Sequence, residues 1–225
     1  MEQTEERVRT ARRRPGQRRR RRRSRVPELI LLLTAVGAAL VIRFFFVSGE
    51  EKKIPVPDKM PDWVTVDLLP VNPYSRPGTA LEAVNGIVVH YVGNPGTTAE
   101  QNHSFFTNLA LTGETYASSH FLIGLDGEII QNVPLDEVAY CSSQANDDTI
   151  SIECCHPDEA GAFTEETYRS LLKLTAWLKA YYHLDTSQVI RHYDVTGKEC
   201  PRYFVQHPEA WEAFLQDLEQ EKTEL

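Results

Sequence analysis

A run of nineteen residues, 29–47, is almost wholly apolar and separates two parts of the chain that carry opposite charge. A helix of this length spans about 28 Å, which matches the hydrocarbon core of a bilayer. Arg43 lies near one end of the run, where its long side chain can reach the membrane interface. The run predicts a transmembrane helix over residues 27–47 rather than a cleaved signal peptide, whose apolar region is usually only about 7–15 residues long.

The charges on either side of this run predict its orientation. Residues 1–26 contain twelve arginines and three glutamates, whereas the remainder has twelve basic and 29 acidic residues, a net charge of −17. Basic residues that precede a transmembrane helix favour a cytoplasmic N-terminus. We therefore predict a single-pass protein of the cell membrane, with residues 1–26 as a cytoplasmic arginine-rich tail and the rest of the chain outside. The acidic body argues against nucleic acid as the main ligand.

The remainder of the chain divides into a linker and a globular domain. Residues 48–64 are rich in proline and charge, which predicts an extended tether. The segment 63–70 has enough apolar residues to lie on the domain as an arm. We assign residues 65–220 to the domain, and the hydrophobic content of 41% is sufficient for a core.

Strand and helix patterns alternate within this domain. The β-branched run 86–92 is typical of a buried strand, and Thr98 and Thr164 are suitable N-caps for helices. Further strands are predicted over 118–125, 128–133, 149–155 and 189–191, and helices over 98–109, 164–182 and 208–218. This mixture predicts an α/β (α+β) domain with a central sheet.

The most informative short segment is RHYDVTGKECP, residues 191–201, in which seven residues separate His192 from Cys200. A catalytic zinc ion takes three protein ligands and leaves one position for water. His90, at the end of the first strand, is the natural third ligand. Each residue alone is more often a structural core residue. Together with Lys198, they predict a zinc site.

Glu153 is the other unusual residue, because it lies within an otherwise buried strand. Alternation places its side chain on the face opposite to Ile152. A carboxylate in that position needs a partner or a function, unless that face of the sheet is solvated. The functional interpretation is a general base beside a metal-activated water molecule.

Four segments, taken in order, resemble those of a known family. GIVVHY, SSHFLI, SIECC and RHYDVTGKECP are similar to segments of the type 2 zinc-dependent N-acetylmuramoyl-L-alanine amidases, which include phage lysozyme-type amidases and peptidoglycan recognition proteins. The resemblance covers about residues 65–218. It implies a mixed central sheet flanked by helices, Zn²⁺ in a groove on one face, and peptidoglycan as the substrate.

The resemblance also implies a role for each matching residue. His90, His192 and Cys200 correspond to the zinc ligands, and Glu153 and Lys198 to the catalytic residues. The implied reaction is hydrolysis of the amide bond between N-acetylmuramic acid and L-alanine. Where some members have a catalytic tyrosine this chain has Ser119, so Glu153 is expected to act as the base alone.

Other residues near these motifs are weaker candidates. His120, Asn94 and Thr196 are predicted substrate contacts, although His120 could orient a neighbour and the other two could form turns. Asp194 is a candidate acceptor for the imidazole of His192. The remaining histidines, at positions 103, 156, 183 and 207, are expected on solvated surfaces.

The cysteines and the overall activity leave alternatives open. Cys141, where many members of the family have a histidine, could form a disulfide with Cys154 or Cys155, or all three could be free thiols. A non-catalytic peptidoglycan receptor and a cysteine hydrolase with Cys200 as nucleophile are the rival functions. A further possibility is a structural anchor whose arginine-rich tail contacts a cytoplasmic partner.

Overall fold

The structure is a computed structural model that describes residues 53–223. Its strands are β1 (Thr65–Val66), β2 (Gly86–Tyr91), β3 (Phe121–Ile123), β4 (Ile129–Gln131), β5 (Thr149–Cys154) and β6 (Val189–Arg191). Its α-helices are α1 (Ala99–Thr112), α2 (Glu165–Tyr182), α3 (His192–Thr196), α4 (Arg202–Gln206) and α5 (Pro208–Gln220). The predicted tail and membrane helix, residues 1–47, lie outside the described range. No helix within residues 53–223 is long and apolar enough to cross a membrane.

The six strands form one mixed sheet in the order β1-β4-β3-β5-β2-β6. Only β3 and β4 pair antiparallel, across the turn that follows Ile123, and the other neighbours are parallel. The predicted α/β class with a mixed central sheet is therefore confirmed. Parallel neighbours bring the carboxyl ends of β3, β5, β2 and β6 to the same edge of the sheet, where loops can supply site residues.

The two faces of the sheet differ in chemistry. On one face, alternate residues of β2 and β5, such as Val89 and Ile152, are fully buried in the main hydrophobic core. Helices α2 and α5 cover this face with a stripe of apolar side chains. The predicted face of α5 is confirmed, since Trp211, Phe214 and Leu218 are all buried.

Helix α1 covers part of the opposite face with a smaller core. Phe106 and Leu109 pack there with Leu122 of β3. The helix begins as predicted, because Thr98 and Gln101 form a capping box in which each side chain accepts a hydrogen bond from the other residue's backbone N–H. Since α1 leaves the ends of β2 and β5 uncovered, polar residues on this face can reach the surface.

Strands β3 and β4 are shorter than the sequence predicts. The segment before β3 was expected to be strand from Ser118, but the strand begins at Phe121. The backbone N–H of His120 donates to the Ser151 hydroxyl (3.2 Å), and the Ser119 hydroxyl donates to the Phe121 carbonyl (2.8 Å). Side chains therefore satisfy backbone groups that a longer ladder would have used.

The segment 63–70 and the end of the predicted linker pack on the rest of the domain as an arm. Strand β1 adds to the edge of the sheet beside β4, and Leu69 is fully buried. Within the predicted linker, Trp63 packs edge-on against Trp177 of α2, and Ile54 contacts the main core. Ile54, Met60 and Trp63 of this proline-rich stretch are thus partly buried against the folded domain, whereas Val56 is exposed.

Candidate metal centre and groove

The register of the parallel strands brings the predicted site residues together. Glu153 of β5 lies directly beside His90 of β2, and on its other side it is paired with Leu122 of β3. Strand β6 follows β2 in the sheet and ends at Arg191, so His192 begins the next helix at the same edge. Neighbouring strands are about 4.8 Å apart, so this register alone makes His90 and Glu153 neighbours.

The three predicted metal ligands converge at this edge. Ligand atoms of His90, His192 and Cys200 all lie within 4.8 Å of one another, and the two imidazole rings are 4.6 Å apart between centroids. The Cys200 Sγ lies 3.8 Å from the Nδ1 of His90. Cys200 reaches this position because the chain turns back after α3, where Gly197 has a φ of 77° that favours glycine.

The polar atoms of this cluster are suited to a metal ion. Both ring nitrogens of His192 are buried, and neither has a hydrogen-bond partner among the described residues. Such unpaired buried atoms are costly unless something else satisfies them. Two imidazoles and one thiol form a nitrogen–sulfur ligand set that zinc prefers, with three protein ligands as in catalytic sites. The residues present therefore fit the zinc ion that the sequence predicts.

The environment keeps both imidazoles neutral. Burial, with smaller contributions from the neighbouring His192 and the charge of Lys198, holds the pKa of His90 well below its usual range. Burial and the charge of Lys198 also lower the pKa of His192. A neutral imidazole can donate a lone pair to a metal, whereas an imidazolium cannot.

Glu153 is half-buried beside the cluster. Its Oε1 accepts a hydrogen bond from the Cys141 thiol (3.4 Å), whereas its Oε2 is buried without a partner among residues 53–223. Burial raises the pKa of Glu153 to about 7, against the opposing effects of Cys141 and Lys198. A carboxyl group with a pKa near neutrality can both accept and release a proton under physiological conditions.

The cluster lies in an open groove of about 710 Å³. Residues that line the groove include Phe106, Tyr116, Tyr140, Glu153, Thr196 and Lys198. Lys198 is exposed, and its charge lowers the pKa values of His90, His192 and Glu153. On the other side of Glu153 the surface continues into a recess of about 370 Å³ that contains Asn94.

The three predicted substrate contacts lie in different environments. Asn94 and Thr196 are exposed and line the recess and the groove, respectively. His120 is only 1% exposed, and its Nε2 contacts the Glu137 carbonyl at 2.9 Å. Its Nδ1 accepts from the Ser151 backbone N–H at 3.0 Å. Both nitrogens of His120 are thus occupied, which favours an orienting role over substrate contact.

Two predictions about neighbouring residues are wrong. Asp194 contacts Arg191 rather than His192, since it accepts hydrogen bonds from the guanidinium and backbone N–H of that arginine. His156 was expected on a solvated surface but is buried, with its ring against Tyr91. All four cysteines lie in the described part of the chain and are free thiols, so the alternative without a disulfide applies.

Sequence reasoning missed a set of polar residues that contact the site from one turn. The Ser142 hydroxyl lies 3.0 Å from the Nε2 of His90, and the Cys141 thiol contacts Glu153. The Asn146 side chain accepts hydrogen bonds from the backbone N–H groups of both residues. The only signal for this turn in the sequence is that Cys141 replaces a histidine common in the resembled family.

Comparison with known proteins supports the amidase family that the sequence motifs resemble. The family model described as N-acetylmuramoyl-L-alanine amidase matches residues 80–203. A probable N-acetylmuramoyl-L-alanine amidase of Bacillus licheniformis is 34% identical over 156 residues, which cover 64% of this chain and 44% of that protein. The N-acetylmuramoyl-L-alanine amidase CwlL of the same species is 35% identical over 156 residues, covering 63% and 42%, respectively. The chain thus spans less than half the length of these curated relatives.

Solved structures show the same fold over most of this domain. The catalytic domain of XlyA superposes with a TM-score of 0.59 at 27% identity, covering 69% of this chain and 98% of that one. A mutant endolysin from Bacillus subtilis gives the same TM-score and identity, with 97% of its chain covered. The matched family model, the shared fold and the ordered motifs together establish that this chain belongs to the N-acetylmuramoyl-L-alanine amidase family.

Proposed function

We propose that this protein is a zinc-dependent hydrolase that cleaves the amide bond between N-acetylmuramic acid and L-alanine in peptidoglycan. One observation carries the proposal. Two imidazoles and a thiol converge within 4.8 Å of one another, beside a half-buried carboxylate at the floor of an open groove. Family membership supports the same reaction.

His90, His192 and Cys200 would hold the zinc ion. When bound, zinc supplies the Lewis acidity that allows a water molecule to attack an amide near neutral pH. One nitrogen of His192 and the Nδ1 of His90, which faces the Cys200 Sγ, would supply the two imidazole lone pairs. The thiol of Cys200 is 2% exposed, so the surrounding protein shields the ligand set from bulk water.

Glu153 and Lys198 would perform the proton transfer and the charge stabilisation. Glu153 accepts a proton from the attacking water and passes it to the nitrogen of the leaving amine, a role suited to a carboxyl group with a pKa of about 7. Lys198 lines the same groove with an exposed ammonium group. It would stabilise the negative charge that develops on the carbonyl oxygen.

The groove suits a ligand that is part sugar and part peptide. Tyr116 and Tyr140 line it with their rings 5.6 Å apart, and aromatic faces of this kind pack well against the apolar faces of sugars. Thr196 lines the groove with a hydroxyl that donates to the His192 carbonyl and accepts from the Lys198 backbone N–H, which leaves one acceptor position, and Asn94 adds an amide in the adjoining recess. We expect these two residues to form hydrogen bonds with the substrate, as the sequence predicts.

The rival functions fit the site less well. A cysteine hydrolase needs an activated thiolate, but burial raises the pKa of Cys200 to about 12. Relatives that bind wall fragments without cutting them typically lack the cysteine ligand, which is present here. A chelator separates the first rival from the proposal, because it should abolish a zinc amidase and spare a thiol enzyme.

Digestion of purified cell wall tests the proposed reaction. The products should be stem peptides whose first residue is L-alanine with a free amino group, detected by mass spectrometry. The reaction should stop in a chelator and resume when zinc is added back. Peptide fragments still attached to muramic acid would indicate an endopeptidase and contradict the proposal, and wall that is bound but not cut would indicate a receptor.

We also propose that residues 27–47 anchor the enzyme, with residues 1–26 in the cytoplasm and the catalytic domain outside. The nineteen-residue apolar run and the preceding arginines support this topology. The full chain should stay with membranes in alkaline carbonate, and protease added to intact spheroplasts should degrade the domain but spare the tail. Release of the full chain by carbonate would contradict the anchor without affecting the proposed reaction.

A further inference from the structure

A short turn, residues 141–146, contacts three of the elements that build the site. The Ser142 side chain reaches His90 of β2, and the Cys141 side chain reaches Glu153 of β5. The Gln144 amide donates to the Val195 carbonyl of α3, the helix that begins with His192 (2.7 Å). Adjacent residues of one turn therefore contact a predicted ligand and the predicted base.

Ser142 contacts the nitrogen of His90 that faces away from the cluster. The Nε2 of His90 is 3.0 Å from the Ser142 hydroxyl, and its Nδ1 is 3.8 Å from the Sγ of Cys200. A neutral imidazole carries one proton, so a lone pair on Nδ1 requires the proton on Nε2. The Ser142 hydroxyl, which is 1% exposed, can accept that proton, and its contact with Nε2 holds the ring in an orientation that presents Nδ1 to the cluster.

Cys141 provides the hydrogen bond on Oε1 of Glu153 and leaves Oε2 unpaired. Without the thiol, both carboxylate oxygens would lack a partner, and the side chain could rotate. Ligand atoms of Glu153, Cys141 and His90 lie within 4.8 Å of one another, so a rotated carboxylate could also compete for the metal. A single thiol donor therefore keeps the carboxylate available for proton transfer.

Asn146 holds the turn in place. Its Oδ1 accepts from the backbone N–H of Cys141 at 3.0 Å and from that of Ser142 at 2.6 Å. Ser143, which follows Ser142 in the turn, has a φ of 56°, which is uncommon for a residue other than glycine and costs energy. The two hydrogen bonds to Asn146 stabilise this local conformation.

We propose that the 141–146 turn is the positioning element of the active site, with Ser142 orienting His90 for metal binding and Cys141 orienting Glu153 for proton transfer. Asn146 holds both residues at once. None of the three is proposed to contact the reacting atoms. This inference rests on the proposed function. It adds that the metal ligand His90 and the base Glu153 are positioned by neighbouring residues of one turn, so that zinc binding and proton transfer can be impaired separately.

Zinc affinity tests the role of Ser142 without reference to activity. In Ser142→Ala, zinc affinity measured by competition with a chromogenic chelator should fall about 10- to 100-fold. The matched control is Ser104→Ala, because Ser104 lies exposed on α1. Circular dichroism of the metal-free protein should be the same in both variants. Equal zinc affinity in Ser142→Ala and Ser104→Ala would overturn the role of Ser142.

Steady-state kinetics test the role of Cys141. Cys141→Ala should lower kcat about tenfold with little change in KM or zinc affinity, because only the carboxylate loses a hydrogen bond. Cys141→Ser keeps a donor and should recover kcat to within about threefold of the wild type. An equal loss in both variants would show that the hydrogen bond is not the cause, and an unchanged kcat in Cys141→Ala would remove Cys141 from the proposal.

Asn146 links the two effects. Asn146→Ala should weaken zinc binding and lower kcat together, whereas Asn146→Asp, which keeps an oxygen acceptor, should show smaller changes in both. Asn108→Ala on the exposed side of α1 is the control. If only stability changes in Asn146→Ala, the turn has no positioning role. A wild-type protein that neither binds zinc nor cuts cell wall would instead contradict the proposed function, so the two failures are distinguishable.

Discussion

Two regions of this domain bury histidine side chains, but they treat the imidazole nitrogens differently. In the His120 region, both nitrogens are within hydrogen-bond distance of protein groups, the Glu137 carbonyl and the Ser151 backbone N–H. In the groove, both nitrogens of His192 are buried without a partner in the described part of the chain. The two imidazoles are similarly buried, at 1% and 6% exposure.

For His120 and His192, the number of hydrogen-bond partners distinguishes a structural imidazole from one available to a ligand better than burial does. A buried polar atom that is hydrogen-bonded stabilises the fold, whereas one left unpaired costs stability unless a ligand satisfies it. Burial lowers the pKa of His120 to about 4 and also lowers the pKa of His192, so the shifts alone do not distinguish them. The hydrogen-bond partners distinguish these two histidines: both nitrogens of His120 are used within the fold, whereas those of His192 are left available to a ligand.

The largest expected effect is that of His192→Ala. Activity on cell wall should fall to background, and the variant should no longer bind zinc tightly. The melting temperature of the metal-free protein should change little, because the packing lost with the ring is offset by removal of two buried nitrogens that have no partner among residues 53–223. A large destabilisation of the metal-free variant, measured by calorimetry, would contradict the contrast with His120.

Glu153→Gln should lower kcat about 10²- to 10⁴-fold, the usual contribution of a general acid–base residue. Zinc content should remain that of the wild type. The amide replaces a half-buried carboxylate whose Oε2 has no partner among residues 53–223. The melting temperature of the metal-free protein should therefore rise by a few degrees. Full activity in this variant would remove Glu153 from the mechanism.

Lys198→Ala should lower kcat about 10²-fold, because the developing negative charge loses its nearby cation. Lys198→Arg keeps the charge but changes its geometry and should lie between the alanine variant and the wild type. The exposed position of Lys198 predicts little change in stability, which thermal unfolding would check. Equal kcat in all three proteins would exclude a role in catalysis.

The smallest expected effect on activity is that of His120→Ala. The change leaves the Ser151 N–H and the Glu137 carbonyl without a partner, so the free energy of unfolding should fall by about 2–4 kcal/mol. Activity per folded molecule should remain within a few-fold. The control is His183→Asn, since His183 is exposed in left-handed backbone that asparagine tolerates. A raised KM without loss of stability would instead support substrate contact.

The sequence predicts the regular parts of this domain well, because local patterns determine them. The capping residues Thr98 and Thr164 begin their helices, and alternation along β5 separates Ile152 from Glu153 correctly. The convergence of His90, His192 and Cys200 was predicted from their spacing and from family resemblance. Composition and periodicity alone do not bring residues 90 and 192 together, since that depends on the strand order.

The remaining features depend on contacts between segments that are distant in sequence. The positions of Cys141 and Ser142 beside Glu153 and His90 follow from the path of one irregular turn, which has no periodicity to read. Asp194 failed as a predicted acceptor because a closer partner, Arg191, is available three residues away. His156 was expected on the surface, but its environment is set by packing against Tyr91.

Metal analysis of the purified full chain tests the central claim most directly. Inductively coupled plasma mass spectrometry should find one zinc ion per chain in the wild type, and much less than one in Cys200→Ser after identical dialysis. Equal zinc in the two proteins would place the metal elsewhere. A folded, active wild-type protein without zinc would contradict the account, because two imidazoles and a thiol would then converge for another reason.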